Sequence, residues 1–362
     1  MTDIFSSLGP AREPAPKKAR ARKKASAGKP ARTRKQKGWR IALISMGAVV
    51  LLVGGAAGVY AWTLSNAFDG QTDKITEAFP DDANRPPVLD GDAGKAQNIL
   101  LLGSDSRGSS NNGSLADMTG QRSDTIMVAH IPADRENIYV MSILRDSWLD
   151  IPGHGEAKIN AALSYGGVPL AVETIEGVLG ARIDHVAIVD FTGFKGVTDA
   201  LGGVEIDSQV GFTAGGHRFT EGVQHVNGTE ALSFVRERKS FNDGDFQRAR
   251  NQQTFIKAVL KRTLSAETLT DPGKISGLVG AVSPFLAVDK GLNSAYVAGL
   301  GLAMRDVRVG DVTFFTMPTL GTGTSPDGQS IVSIDWEELK AVKKGFQTDT
   351  LHMYEPEVQT IG

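Results

Sequence analysis

Arginine and aspartate recur in short segments that hold the clearest candidates for chemistry in this chain of 362 residues. The segment GSDSR contains Asp105 and Arg107, and the segment QRSDT contains Arg122 and Asp124. An apolar run precedes the first segment and another follows the second, as at the end of one β-strand and the start of the next. If these strands pair antiparallel, Asp105 and Asp124 meet at one sheet edge, where two carboxylates predict a Mg2+ site. From spacing alone, the alternative is that Asp124 caps a turn or pairs with Arg122.

A third segment, VRERKSFNDGDFQRARNQQ, adds four arginines. Arg236 and Arg238 are two positions apart, so they share a face only if the backbone is extended there. A helix that begins near residue 244 places a polar stripe within about 60° on one face and leaves Arg250 pointing away. The stripe consists of Asp245, Arg248 and Gln252. Because apolar residues occupy the neighbouring faces, the helix docks on a core and its stripe is predicted to line a cleft.

The candidate site combines six guanidiniums with three carboxylates. The arginines are Arg107, Arg122, Arg145, Arg236, Arg238 and Arg248. This surplus of positive charge favours a polyanionic phosphate ligand, because Arg forms bidentate hydrogen bonds with phosphoryl oxygens. Other chemistries are excluded: the sequence has no GxxxxGKS/T and no HExxH motif, and no cysteine for a disulfide, a zinc thiolate site or a thiol nucleophile.

The elements that must position these residues are short strands and helices in alternation. Apolar runs bounded by turn residues predict strands at 98–103, 125–131, 137–144 and 185–190. Apolar spacing near 3.6 predicts helices at 168–179, 191–201, 227–235, 244–264, 272–286, 291–304 and 335–346. Together they predict one globular α/β unit of roughly 250 residues in which helices cover a sheet.

The N-terminal part differs sharply from the rest in charge and hydropathy. Residues 1–40 hold 13 Lys and Arg against two acids, a net charge of +11, whereas the remaining residues carry a net charge of −13. The first 40 residues are predicted to be a disordered basic tail, because they contain almost nothing apolar. The 22 uncharged residues from Ile41 to Trp62 predict a transmembrane helix over 41–64. A cleaved signal peptide is the alternative, although the run and its basic lead exceed the usual dimensions.

The distribution of positive charge predicts a cytoplasmic N-terminus and an extracytoplasmic domain, hence a single-pass protein of the cell membrane. The basic tail is interpreted as a topogenic, lipid-attracted segment, and no nucleic-acid partner is expected. The domain boundaries that follow are a linker at 65–95, a catalytic domain at 96–350 and a C-terminal tail at 351–362.

The ordered motifs NILLLGSDSR, QRSDTIMVAHI, VMSILRDSWLDIP, KINAALSYGG and DFQRARNQQ closely resemble the LytR-CpsA-Psr family of Gram-positive cell envelopes, over roughly residues 97–264. Members of this family are understood as phosphotransferases that move an anionic glycan, such as teichoic acid, from a polyprenyl-pyrophosphate carrier to peptidoglycan. The usual acceptor is the C6 hydroxyl of N-acetylmuramic acid. The resemblance implies an α/β/α arrangement around a mixed sheet, with a long apolar pocket for the polyprenyl chain.

Carried across by position, the resemblance implies Asp105 and Asp124 as ligands of Mg2+, with Mn2+ as the alternative ion. The implied pyrophosphate-binding residues are Arg107, Arg122, Arg145, Lys158, Arg236, Arg238, Arg248 and Gln252. Asp245 matches the acid on the helix and is a candidate general base, or else it orients Arg248. The acceptor hydroxyl would attack the phosphorus next to the glycan, and polyprenyl phosphate would leave.

Two other functions remain open from the sequence. An extracytoplasmic polyprenyl-pyrophosphate hydrolase would use the same metal ion and arginines with water as the acceptor. A non-catalytic envelope regulator would need neither the carboxylates nor the arginine cluster.

Overall fold

The computed structural model describes Ala56 and residues 58–104, 115, 116 and 123–355. The predicted basic tail and most of the predicted transmembrane helix lie outside the described residues, as do Asp105, Arg107, Arg122 and residues 356–362. Within the described part of the chain, no helix combines the length and the apolar character needed to span a bilayer.

Fifteen β-strands lie among the described residues. They are β1 (Asp73–Ile75), β2 (Gln97–Ser104), β3 (Ser123–Ile131), β4 (Ile138–Ile143), β5 (Trp148–Ile151), β6 (Gly155–Lys158), β7 (His185–Asp190), β8 (Val204–Ser208), β9 (Phe212–Ala214), β10 (His217–Phe219), β11 (Gly222–Val226), β12 (Leu286–Asp289), β13 (Val312–Thr316), β14 (Thr319–Thr324) and β15 (Ser330–Ile334). The helices of the same region are α1 (58–71), α2 (Asn160–Leu179), α3 (Phe191–Ala200), α4 (Gly228–Arg236), α5 (Asp245–Thr263), α6 (Ala266–Leu269), α7 (Pro272–Val282), α8 (Ser294–Ala303) and α9 (Trp336–Thr348).

A seven-stranded mixed sheet in the order β1-β12-β7-β2-β3-β4-β13 forms the centre of the fold. β2 pairs antiparallel with β3 and parallel with β7. The middle parts of the central strands are apolar because both of their faces are buried. Leu100 and Leu102 project towards α2 and α9, whereas Leu101 and Met127 project towards α5. The sequence-based prediction of an α/β fold with helices over a sheet is therefore confirmed.

The four strands predicted from apolar runs are present, and helices occur in all seven predicted regions. Two boundaries differ for local reasons. Helix α2 begins at Asn160, upstream of a break at Gly166 and Gly167 where the backbone is not helical. The glycines and the following Pro169 interrupt the helical pattern in the sequence, so only the second half was predicted. Helix α7 ends at Val282, and the residues predicted to continue it form a 3-10 turn and β12.

Part of the predicted linker at 65–95 belongs to the folded domain. Residues 73–75 form β1, which extends the central sheet by pairing parallel with β12. Arg85 bonds Glu176 of α2 through two guanidinium nitrogens, with Nη2 2.6 Å from Oε1, and Glu176 is fully buried. The predicted tail from residue 351 also begins too early, because Leu351 is only 2% exposed and packs in the main core. Such long-range contacts leave no local signal in the sequence.

Candidate active site

The antiparallel pairing of β2 and β3 brings the end of one strand to the start of the other. Gly103 pairs with Thr125 and Ser104 pairs with Ser123, so the register shifts at this point and leaves Asp124 of β3 without a partner position on β2. The buried hydroxyl of Ser123 lies 2.9 Å from the carbonyl oxygen of Gly103, which fixes this edge of the sheet. The predicted antiparallel neighbours are therefore confirmed, whereas the distance between Asp105 and Asp124 stays a prediction.

Arg145, two residues after β4, joins this sheet edge to the start of α5. Its Nη1 lies 2.5 Å from Oδ1 of Asp124, and its Nε lies 3.1 Å from Oδ2 of Asp245. Only 16% of the Arg145 side chain is exposed. Burial opposes the charge of Arg145, but Asp245, Asp124 and Asp146 outweigh it and raise the pKa of this guanidinium above its ordinary value. The side chain is a fixed cation at the centre of the site.

Asp245 is the first residue of α5 and forms ion pairs with two further arginines. Arg248 Nη2 lies 3.2 Å from Asp245 Oδ2, and Arg238 Nη1 lies 3.7 Å from Asp245 Oδ1. Burial raises the pKa of Asp245, but Arg248 and Arg145 oppose it and the net shift is downward. Asp245 is therefore held as a carboxylate that orients several arginines.

The predicted stripe on α5 shares one face of the helix, but its members reach different surroundings. Arg248 is 7% exposed, and burial lowers its pKa despite the attraction of Asp245. Gln252 is buried, and its Nε2 is 3.5 Å from the carbonyl oxygen of Val235 in α4. Arg250 points away, as predicted, and pairs with Asp243. Arg248 and Gln252 are therefore buried beneath the residues that line the site.

A polar cavity of about 810 Å3 opens in front of these residues. Of the predicted site residues, four line it: Arg145, Lys158, Arg238 and Asp245. Arg236, the last residue of α4, is half-buried and is not among the residues that line the cavity. The structure therefore brings together the predicted residues from β3, the β4 end, β6 and α5.

Asp146 is a site residue that the sequence analysis did not single out. It lines the cavity, and Lys158 Nζ lies 3.6 Å from its Oδ1. Burial raises the pKa of Asp146, and the nearby carboxylate of Asp245 adds to this effect, whereas Arg145 opposes it. Its position directly after Arg145 was the available signal, since a strand end delivers both neighbours to the same loop.

A second, apolar pocket of about 320 Å3 lies between the sheet and α3, α5 and α7. It is lined mainly by Leu101, Met127, Val189, Phe194, Val197, Phe255, Ile256, Val259, Leu260, Leu278, Val282 and Leu286. Thr125 also lines this pocket, and the preceding residue, Asp124, is bound to Arg145 of the polar cavity. Two consecutive residues at the start of β3 therefore link the apolar pocket to an arginine of the polar cavity.

The described residues do not form a complete metal site by themselves. Among them, no three His, Asp or Glu side chains are grouped so that they could hold a metal ion alone. Asp124 has the ligand chemistry of a site for a hard cation, with 30% of its side chain exposed at the sheet edge. A Mg2+ ion here would need Asp105 or phosphate oxygens as further ligands.

Comparison with known proteins identifies relatives along most of the chain. Residues 63–348 match the model of the LytR_cpsA_psr family. The polyisoprenyl-teichoic acid--peptidoglycan teichoic acid transferase TagU of Bacillus mycoides is 34% identical over 229 residues, which cover 62% of this chain and 72% of that protein. The cell wall biosynthesis protein LcpA of Corynebacterium glutamicum is 30% identical over 296 residues, covering 70% of this chain and 56% of LcpA.

Solved structures show the same architecture. The crystal structure of TagV of B. subtilis aligns with a TM-score of 0.59 and 27% identity, covering 72% of this chain and 99% of that one. A structure of TagT bound to LI-WTA aligns with a TM-score of 0.56 and 25% identity, covering 76% of this chain and 99% of TagT.

Proposed function

The chain belongs to the LytR_cpsA_psr family of cell-wall glycopolymer transferases, and from this premise we propose a specific reaction for it. The protein transfers an anionic or secondary glycopolymer, of the teichoic-acid type, from a polyprenyl-pyrophosphate carrier to peptidoglycan. The acceptor is the C6 hydroxyl of N-acetylmuramic acid. The names of TagU and of the TagT complex support the class of donor and acceptor.

One structural observation carries the proposal: a charged polar cavity and an apolar pocket are linked through two consecutive residues at the start of β3. A polyprenyl pyrophosphate has the same division, because a long hydrocarbon chain is joined to two phosphates. The apolar pocket excludes charge and suits the hydrocarbon, whereas Arg145, Lys158 and Arg238 suit phosphoryl oxygens. Asp124 and Thr125 are adjacent in sequence. Asp124 binds Arg145 of the polar cavity, and Thr125 lines the apolar pocket.

The residues of the cavity act mainly by positioning and by charge stabilisation. Arg145, Lys158 and Arg238 bind the pyrophosphate and stabilise the charge that develops during transfer. Arg248 and Arg145 are held in place by Asp245, whose lowered pKa makes it a poor proton acceptor. Asp245 is therefore proposed as a positioning residue, not as the general base.

Asp124, together with Asp105, would hold Mg2+, or Mn2+ in its place. Bound there, the ion would neutralise charge on the pyrophosphate oxygens. Of the other residues expected to bind the pyrophosphate, Arg107 and Arg122 lie outside the described residues, whereas Arg236 and Gln252 do not line the cavity. In the reaction, a bond forms between the acceptor oxygen and the phosphorus next to the glycan. The bond from this phosphorus to polyprenyl phosphate breaks, and the hydroxyl proton is lost.

The cellular arrangement belongs to the same proposal. Residues 41–64 anchor the protein in the cell membrane as a single-pass helix, residues 1–40 lie in the cytoplasm, and the catalytic domain faces outward. The lipid-linked donor is confined to the same membrane. An anchored enzyme therefore encounters the donor by diffusion in the plane of the membrane.

The deciding experiment incubates the full chain in vesicles with a polyprenyl-pyrophosphate glycan, peptidoglycan fragments and Mg2+, and identifies the products by mass spectrometry. A phosphodiester between the glycan and the muramyl C6 oxygen is expected. Glycan phosphate released by water would instead identify a hydrolase, and no turnover of the lipid would favour an envelope regulator. Arg145→Ala serves as the inactive control, and Arg250→Ala, at a residue of α5 that does not line the cavity, serves as the matched active one.

A further inference from the structure

Tyr165 is a half-exposed aromatic residue on α2 that has no part in the phosphate chemistry described above. Tyr165 is 51% exposed. The ring stacks on the imidazole of His154, with centroids 4.6 Å apart and planes inclined by 20°. One face of Tyr165 is therefore supported by another ring, and the side chain is held in one orientation.

The local backbone explains how this pair is positioned. His154 lies in the turn that joins β5 to β6, between Gly153 and Gly155, which both have positive φ angles of 76° and 74°. Tyr165 directly precedes the break in α2 at Gly166. The tight turn therefore presents His154 to Tyr165 at the point where α2 breaks.

Tyr165 lines the same polar cavity as the phosphate-binding residues. Lys158 lies seven positions before it in the chain, at the end of β6. Across the cavity, the hairpin β14–β15 contributes exposed hydroxyl and amide side chains. These are Thr322, Gln329 and Ser330. A cavity of about 810 Å3 is far larger than a pyrophosphate group needs, so part of it is available to a further portion of the substrates.

A supported aromatic face surrounded by hydroxyl and amide groups has the chemistry that recognises a pyranose ring. The C–H groups on one face of the sugar carry partial positive charge and pack against the electron-rich face of the tyrosine. The ring hydroxyls exchange hydrogen bonds with side chains such as Thr322 and Gln329, which both donate and accept. Adjacent guanidiniums then bind the phosphate to which a sugar is attached.

We propose that Tyr165, supported by His154, is a saccharide subsite that stacks a pyranose ring beside the reacting phosphorus. The proposal rests on the transferase function proposed above and adds where a glycan binds. The shared chemistry is a pyranose ring, which comes either from the peptidoglycan acceptor or from the glycan of the lipid-linked donor. The experiment distinguishes these two sources.

The test compares Tyr165→Ala with Tyr165→Phe in the full chain. Tyr165→Ala should raise the KM of one glycan substrate about ten-fold, the value expected for loss of one aromatic stacking contact. Tyr165→Phe keeps the ring and should behave like the wild type. Trp336→Ala is the matched control, because Trp336 is 52% exposed and lies outside the cavity. A rise confined to peptidoglycan fragments identifies the acceptor, and a rise confined to the lipid-linked glycan identifies the donor.

Direct binding separates this proposal from the proposed function. Calorimetric titration with soluble peptidoglycan oligosaccharide and with the lipid-linked glycan needs no turnover, and glycan-free polyprenyl pyrophosphate reports on the phosphate site. Tyr165→Ala should lower the affinity for a glycan ligand and leave the affinity for the glycan-free lipid unchanged. Equal affinities of wild type and Tyr165→Ala for both glycans would overturn the subsite even if transfer is observed. An equal loss for the glycan-free lipid would also overturn it, because the defect would then be general.

Discussion

The guanidinium Nε of Arg145 lies 3.1 Å from Oδ2 of Asp245, which joins two residues that are 100 positions apart in the chain. Arg145 follows β4 of the sheet, and Asp245 is the first residue of α5, which lines the apolar pocket. The same guanidinium binds Asp124. This contact therefore couples the phosphate-binding cavity to the elements that enclose the lipid pocket.

Replacing Arg145 with lysine is expected to inactivate the protein although the positive charge is kept. An ammonium cannot reproduce the planar fork that binds Asp124 and Asp245 together, nor bind phosphoryl oxygens through two parallel hydrogen bonds. The expected loss in kcat/KM corresponds to about 2–5 kcal/mol of transition-state stabilisation. Steady-state kinetics with the lipid-linked donor measures it, and near-normal activity of Arg145→Lys would show that charge alone is sufficient.

Arg248 and Arg250 provide a matched pair on one helix. Arg248→Ala removes a buried partner of Asp245. The expected loss in kcat/KM corresponds to about 2–5 kcal/mol of transition-state stabilisation. Arg250 pairs with Asp243 on another face of α5, so Arg250→Ala should change kcat/KM by less than about three-fold. Equal losses in the two variants would mean that the substrate senses net positive charge and not this arrangement, and the assignment of Arg248 would have to be withdrawn.

The polar stripe on α5 shows which part of the site could be predicted from the sequence. Spacing alone placed Asp245 and Arg248 on one face of a helix with Arg250 on another, because the period of a helix is a local property. It did not show that Gln252 turns towards α4, since the position of α4 depends on long-range packing. Tyr165 was missed for the same reason, because several of its neighbours in the cavity come from the hairpin β14–β15, more than 150 positions away. Asp146 had a local signal, its position directly after Arg145.

Asp124→Asn tests the metal site. The amide keeps the size of the side chain but is a weaker ligand for a hard cation than a carboxylate, so the Mg2+ concentration needed for half-maximal activity should rise at least about ten-fold. Asp134→Asn, a change at an exposed residue in the turn after β3, should leave it unchanged. Activity is measured against Mg2+ and Mn2+ in turn. An unchanged metal requirement in Asp124→Asn would remove Asp124 from the set of ligands.

Filling the apolar pocket should discriminate between lipid donors by chain length. Val259 lines the pocket from α5, and Val259→Phe places a larger side chain in it. A donor with a long polyprenyl chain should then bind about ten-fold more weakly, whereas a donor with a very short chain should be unaffected. Lys257→Phe on the exposed face of α5 is the control. If Val259→Phe leaves the affinity for the long-chain donor unchanged, the hydrocarbon binds elsewhere.

The final prediction concerns the buried contact that fixes the C-terminal helix to the sheet. Asp349, in a left-handed conformation after α9, has Oδ1 2.9 Å from Nε2 of the buried His130 of β3. Its Oδ2 accepts a hydrogen bond from the amide of Ala133. Burial raises the pKa of Asp349, but these hydrogen bonds and the nearby positive charge lower it below its ordinary value.

A carboxyl with a depressed pKa stabilises the folded state above its unfolded pKa, near 3.9, and this contribution is lost as the pH falls through the lower folded value. Asp349→Asn should therefore reduce the free energy of unfolding by about 1–3 kcal/mol at pH 7. The difference from the wild type should shrink below a pH of about 4, because the wild-type carboxyl then becomes protonated as well. Urea unfolding at several pH values measures this difference. A gap between the two proteins that is constant from pH 7 to pH 3 would show that the carboxylate charge does not contribute, and that Asp349 acts only through its backbone conformation.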